Sequence, residues 1–380
     1  MKRVVVTGVG ALSPLGHDWA TVEARLRARK NAVQVMESWK QYEGLHTRLG
    51  APAAPFELPS STYSRKTTRT MGRVALMATR ASELALLDAG LLGDALVKSG
   101  RMGIAYGSSA GTPENMGDFG KMITHKTTEG ITATTYLRMM SHTAAVNIGV
   151  FFGITGRIIT TSSACTSGSQ GIGYAYEAIK LGRQVAMLAG GSEELDATGA
   201  AVFDTLFATS TKHNEAPHLS PRPFHAERDG LVLGEGACTL VLEDLEHARA
   251  RGATIHAEVL GYGTNSDGRH VTQPNADTMA QAMRLALEDA GVPASAIPYV
   301  NAHGTATDTG DAAESAATLA VFGEKVALSS LKSYMGHTLG ACGALEAQLR
   351  LRRHQHVAHL PPLDLSTARA RRPTAAPAPR

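Results

Sequence analysis

Cysteine is scarce: Cys165, Cys238 and Cys342 are the three in 380 residues. No two stand in CxxC spacing, which argues against a disulfide framework and a thiolate zinc site. No metal-ligating residue stands out, a structural cation near the site stays open, and a reducing, cytoplasmic compartment is the simplest reading. Charge of one sign is not in excess either. With 37 basic and 34 acidic residues the net charge is +3, so the bulk polybasic character of a nucleic-acid binder is missing. No run of about 18 apolar residues exists to span a membrane. The N-terminal MKRVVVTGVGALSPLG starts basic, but Thr7, Gly8, Gly10 and Ser13 break its apolar run. It reads as a first strand and turn rather than a signal peptide. Its Gly8-Val-Gly10 pair lacks the third glycine of a dinucleotide loop, since Ser13 stands there.

What is present begins with length. A chain of 380 residues, 43% hydrophobic and 19% charged, is a soluble globular protein with a large core and room for two or three domain-sized units. The stretch SSACTSGSQGIG, residues 162–173, organises it. The β-rich run 157–161 leads in, and a small-residue, apolar-striped segment, 168–181, follows as a buried helix. Cys165 thus stands where a strand ends and a helix begins. Unpaired N–H groups and the positive end of the dipole there favour a thiolate, lowering the thiol pKa from about 8.5. Cys165 is a candidate nucleophile, against the plainer reading of a small buried residue.

The chain also repeats itself. LLDAG at 86–90, a strand, and GSSAGT are echoed by LEDAG at 287–291, a strand at 299–302, and HGTAT at 303–307. Before each lies a glycine-bearing strand, VVVTGVG at 4–10 and AEVLGYG at 257–263; after each lies a Ser-Ser strand end, at Ser162-Ser163 and Ser329-Ser330. These are two copies of one βαβ-type unit. In open α/β sheets, ligands gather at the carboxyl ends of strands. Cys165, His303, Lys332 and His337 are therefore expected to meet in one site. Domain boundaries follow at 1–250 for the half with the cysteine and 251–348 for the half with the histidines and lysine.

TSSACTSG around Cys165, RDGLVLGEGA at 228–237, NAHGTATDTGDAAE at 301–314 and SSLKSYMGHTLGACGALE at 329–346 resemble the motifs of β-ketoacyl-ACP synthases of the elongating type II class. The resemblance implies a thiolase-like fold, two duplicated halves in α-β-α-β-α layers, and decarboxylative condensation of an acyl group with malonyl-ACP. It implies Cys165 as nucleophile, His303 and His337 as hydrogen-bond donors to the malonyl thioester carbonyl, and Lys332 and Glu314 as a supporting pair. Thr305 and Thr307 match threonines that hold the pantetheine arm. Arg65, Lys66 and Arg69 form a basic cluster that suits an acidic acyl carrier protein, or else a solvated turn. No cofactor is implied beyond the carrier's phosphopantetheine. The implied assembly is a homodimer or a heterodimer with a related subunit. A histidine at 337, rather than cysteine or asparagine, favours decarboxylation over thiolase or initiating chemistry. TTYLRMMSHTAAVNIGVFFG at 134–153 and AVFDTLFATS at 201–210 resemble synthases of aryl-polyene, xanthomonadin-type clusters.

From about Arg350 the sequence departs from that family. Residues 349–380 become rich in Arg, Pro and Ala and lose hydrophobic periodicity, which reads as a disordered basic tail. Two strands and a Phe-Gly-Gly loop that the family carries have no counterpart in it. The repeat then leaves 185–189 and 237–242 of the first half without partners in the second, as in a truncated or frame-shifted product. A weakly active or inactive subunit, working through dimerisation or carrier binding, is the alternative function.

Overall fold

The computed structural model describes residues 1–270 and 272–356, apart from the side chains of residues 350 and 352–356. Eleven strands lie among them: β1 (Val4–Leu12), β2 (Gln34–Val35), β3 (Leu49–Ala51), β4 (Met102–Gly107), β5 (Ile158–Thr160), β6 (Ala186–Glu193), β7 (Leu233–Gly234), β8 (Gly236–Asp244), β9 (Ala257–Val259), β10 (Tyr299–Asn301) and β11 (Ala327–Ser329). The main sheet runs β5-β4-β6-β8-β1-β9, β10 and β11 form a parallel pair, and β2-β3-β7 form a small third sheet.

In the main sheet β4, β6 and β8 are buried along their whole length. Burial on both faces explains their continuous apolar and small-residue runs. Successive residues of β6 serve opposite cores. Ala186 and Leu188 pack with Ala78, Ala85 and Ile148, whereas Met187 and Ala189 pack with Tyr176, Ile179 and Leu345. Helix Arg73–Asp88 therefore covers one face, and helices Ser167–Lys180 and Cys342–His356 cover the other.

The sequence repeat is repeated in the packing. A Cβ on Gly8 or Gly10 would lie 2.3 Å from the Ala85 carbonyl oxygen or 2.2 Å from that of Ala81, both on helix Arg73–Asp88. In the second half, a Cβ on Gly261 or Gly263 would lie 2.7 Å from the Ala286 oxygen or 2.4 Å from that of Ala282, on helix Ala276–Ala290. These glycines admit a helix against a strand; Gly8 and Gly10 are not a cofactor loop. Gly90 and Gly291 end the two helices at φ 67° and 66°, where a side chain would be strained.

Two expectations need correction. The strand expected at 257–263 is shorter, and β9 pairs antiparallel with β1 at the edge of the first sheet. Among the described residues no strand lies between β9 and β10, so β1 is the neighbour that satisfies its backbone groups. The first residues of the tail expected from 349 are helical, because helix Cys342–His356 crosses that boundary. The rest of the expected tail, 357–380, lies outside the described residues.

Candidate active site

Cys165 lies in a single 3-10 turn, Ala164–Thr166, after β5 and directly before helix Ser167–Lys180. Ala164 takes φ 53°, a left-handed conformation that a non-glycine residue adopts only where surrounding structure enforces it. Ala306 at φ 67° and Leu339 at φ 43° do the same beside His303 and His337. Three strained residues thus flank the three reactive side chains.

The strand-end argument holds geometrically. Cys165, His303 and His337 offer Sγ and ring nitrogens that all lie within 4.8 Å of one another, although 172 residues separate Cys165 from His337. His337 Nε2 is 3.0 Å from Cys165 Sγ, and the two imidazoles meet edge to face with centroids 5.0 Å apart. Lys332 Nζ is 3.4 Å from His303 Nδ1 and 2.6 Å from Glu346 Oε1.

The far side of each ring fixes its proton. The Leu339 N–H donates to His337 Nδ1 at 3.3 Å, and the Lys332 ammonium, which has only donors, faces His303 Nδ1. Each neutral imidazole then carries its proton on Nε2, and for His337 that nitrogen faces Cys165 Sγ. For a metal the same arrangement is adverse. A ligating Nε2 would move the proton to Nδ1, against a donor N–H in one ring and an ammonium in the other.

Electrostatics agree with a site at rest. Burial pushes the Cys165 thiol up to about 11, overriding Lys332, which lowers it, while Glu193 raises it further. Burial thus runs against the lowered thiol pKa expected at the helix start, although Cys165 itself is only half-buried. Burial and then the Lys332 charge hold His303 well below the ordinary histidine value, and burial, Lys332 and His303 do the same for His337. His303 is exposed at the surface, so the ammonium is the cause its geometry bears out. His337, at 1% exposure, is enclosed. Burial works against the Lys332 charge, yet Cys342, Glu346 and Glu314 together hold its amine above the ordinary value. Glu346 is the partner that matters, because the Cys342 thiol is itself pushed well up and is uncharged at neutral pH.

Glu314 stands under the His303 turn. Its oxygens accept the backbone N–H of His303 and of Gly304, each at 2.7 Å, while Lys332 pairs with Glu346. A buried ammonium needs a direct counter-charge; helix Cys342–His356 supplies one, and Glu314 instead shapes the His303 turn. Thr305 and Thr307 are half-buried, their hydroxyls 2.9 Å apart. Arg65, Lys66 and Arg69 are exposed on and beside the short helix Arg65–Thr68, and Arg138 Nε donates to the Arg69 carbonyl at 3.1 Å.

Three further residues went unassigned in the sequence. Glu346 is one. Asp311 is another, accepting Phe224 N–H at 2.6 Å and Ala306 N–H at 3.1 Å. Glu193, at the end of β6, accepts from Ser108, Ser109, Ala110 and Gly340. Two of these lie in quoted motifs, and an acid among small apolar residues, as in GALE and AGGSE, was the available signal. The halves meet here backbone on backbone. A Cβ on Gly191 would lie 2.1 Å from the Gly340 oxygen, and one on Gly168 2.9 Å from it.

Comparison with known proteins accords with this geometry. Residues 1–248 match the β-ketoacyl synthase N-terminal domain and residues 256–362 the β-ketoacyl synthase C-terminal domain. The chain is 36% identical over 354 residues to 3-oxoacyl-[acyl-carrier-protein] synthase 1 of Haemophilus influenzae, covering 91% of this chain and 84% of that protein. It is 35% identical over 360 residues to the Escherichia coli K12 protein of the same name, covering 94% and 87%. A crystal structure of a β-ketoacyl synthase from Burkholderia phymatum STM815 superposes with TM-score 0.92 at 59% identity, covering 93% of this chain and 86% of that one. A type II PKS ketosynthase, solved in complex with its acyl-carrier protein and bound to the hexaketide, superposes at TM-score 0.80 and 29% identity, with 93% and 86% covered. The fold is thiolase-like and α/β, and with both domains matched around one Cys-His-His-Lys cluster the chain belongs to the β-ketoacyl synthase family.

Proposed function

We propose that this chain catalyses decarboxylative Claisen condensation of an acyl thioester with malonyl-ACP. The observation that carries the reading is the convergence of a ring nitrogen from His303 and one from His337 beside Cys165 Sγ. In the first step Cys165 attacks the acyl-ACP carbonyl, forming an S-acyl bond and expelling the carrier thiol, which takes the cysteine's proton. The resting thiol is activated only as the His337 N–H and the Lys332 charge favour the developing thiolate. In the second step malonyl-ACP loses CO₂, and the two Nε2–H groups hold the enolate oxygen. Its carbon attacks the acyl carbonyl, releasing Cys165, which is reprotonated, and β-ketoacyl-ACP. Two donors fixed before charge develops are the arrangement that lowers such a barrier. No cofactor is needed beyond the carriers' phosphopantetheine arms, which Thr305 and Thr307 contact in this reading.

Arg65, Lys66 and Arg69, extended by Arg138, are the proposed dock for the acidic carrier. Edge strand β5, with Ile158 at 41% exposure, suits pairing with a second synthase subunit, like or unlike. Among the described residues no helix is long and apolar enough to cross a membrane, and a reducing cytoplasm suits three free cysteines. An aryl-polyene or fatty-acid pathway would use this same chemistry. A second reading, a weakly active or inactive partner subunit, is favoured by the exposure of His303. Intact-protein mass spectrometry after incubation with acyl-ACP separates them. An acyl mass that vanishes in Cys165→Ala supports the enzyme, and a folded, dimeric protein without adduct supports the subunit.

A further inference from the structure

Glu193 is a buried carboxylate that the reaction above does not use. It is 1% exposed, yet lies among backbone donors at the seam between the halves. Oε1 accepts from Ser108 Oγ at 2.9 Å and Ala110 N at 3.2 Å; Oε2 accepts from Ser109 N at 2.7 Å and Gly340 N at 2.9 Å. A carboxylate satisfies all four. The first three donors belong to the turn after β4. The fourth belongs to the loop that carries His337.

That fourth contact acts one residue from a strained position. Leu339, at φ 43°, precedes Gly340, and its N–H donates to His337 Nδ1. Left-handed backbone at a branched side chain is strained and persists only when neighbours hold it. The Gly340–Glu193 bond is such a hold on the C-terminal side. On the N-terminal side, His337 N–H donates to Val232 O at 2.7 Å and His337 O accepts from Gly234 N at 2.9 Å. Without Glu193 the Leu339–Gly340 peptide loses its side-chain anchor, leaving Ala341 N–H to Thr338 O, at 2.9 Å, and Cys342 N–H to Leu339 O as the holds on the turn; relaxation of the strained Leu339 backbone then shifts the N–H that keeps the His337 proton on Nε2.

We propose that Glu193 is a positioning residue that, through Gly340 and the strained Leu339 peptide, sets the His337 tautomer and so keeps an Nε2–H donor aimed at the reacting carbonyl. The inference rests on the condensation proposed above. It predicts an effect on the decarboxylation step, where that donor holds the enolate oxygen directly, greater than on acyl loading of Cys165, where the Lys332 charge also favours the thiolate.

Two substitutions separate clamp from charge. Glu193→Asp keeps the charge but is one methylene short of spanning both the Ser109 and Gly340 donors. Glu193→Gln removes the charge, but its amide oxygen can keep the Ser109 and Gly340 donors while its NH₂ donates to Ser108 Oγ, so that only the Ala110 N–H and the Ser108 O–H lose their acceptor.

The test uses full-length wild type, Glu193→Asp and Glu193→Gln. It measures acyl loading by intact mass, CO₂ release from malonyl-ACP, and the His337 tautomer by ¹⁵N NMR of histidine-labelled protein. In Glu193→Asp, CO₂ release is expected to fall about tenfold more than loading, within the roughly 10²-fold that a small misplacement can cost. Its His337 signal is expected to shift toward the Nδ1–H form, while Glu193→Gln stays nearer wild type in both. An unchanged ratio in folded Glu193→Asp, or equal losses in the two variants, overturns the proposal. If Glu193→Asp does not fold, Ser108→Ala, which deletes one donor, must show a smaller shift of the same sign; no shift overturns it. Wild type that neither loads nor decarboxylates refutes the condensation reading, and the NMR comparison still tests the tautomer.

Discussion

The two halves share one order of elements but not one degree of enclosure. In the first, β4, β6 and β8 are buried throughout; in the second, β10 is half-buried and β11 is exposed at its first residue. In the first half, β6 and β8 lie between the counterparts of β10 and β9; among the described residues of the second, nothing does. The reactive groups divide accordingly. Lys332 and His337, each 1% exposed, are held by first-half residues and helix Cys342–His356, whereas His303 stands on the thin sheet and is exposed. A duplicated fold can thus place equivalent residues at equivalent strand ends and still support them unequally.

The strongest way to break that contrast is Lys332→Ala. It leaves Glu346 in an enclosed site without its counter-charge and His303 without the ammonium that orients it. A loss of about 3–5 kcal/mol is expected in denaturant unfolding, together with condensation; a stable variant would mean that Lys332 is less enclosed than its surroundings indicate. Next, Ile104→Ala in β4 is expected to cost about 2–5 kcal/mol, and Val300→Ala in β10 less than about 1.5 kcal/mol. Equal costs in the same unfolding assay would mean that β10 is covered as well as β4.

His303→Ala and His337→Ala sharpen the comparison within the site. Each should slow CO₂ release by about 10²–10³, the usual cost of one such donor. Only His337→Ala should also lower stability, by about 1–3 kcal/mol, because it strands buried partners; matching Tm values would remove the distinction. The mildest test is chemical. With the Cys165 thiol pushed up to about 11, the thiolate fraction grows with pH. Iodoacetamide alkylation, followed by mass spectrometry, should therefore climb about tenfold per pH unit from 7 to 10. A plateau near pH 8 would show a thiolate already formed at rest.

Much of this was legible in the sequence for a physical reason. Strand ends and helix starts are local, so Cys165, His303, Lys332 and His337 could be placed by the repeat before any contact was known. Glu346, Glu193 and Asp311 could not. Their partners are backbone N–H groups, or a lysine, on other segments; Glu193 and Gly340 are 147 residues apart. Carboxylate-to-backbone bonds leave no periodic trace. The thiol was misjudged because a helix terminus is visible in sequence and enclosure is not. The extent of β9 followed its hydrogen-bond neighbour rather than its composition.

The glycine seam of Gly168, Gly191 and Gly340 leaves a mark on what descendants of this sequence can explore. Where two backbones touch, every mutation adds atoms, so even alanine at Gly191 would drive a methyl into a carbonyl oxygen 2.1 Å away. Selection can reshape the walls around the sulfur freely for a longer or bulkier acyl chain. It cannot slide the histidine-bearing loop along the cysteine-bearing helix, and substrate range can diverge while the reaction itself stays anchored.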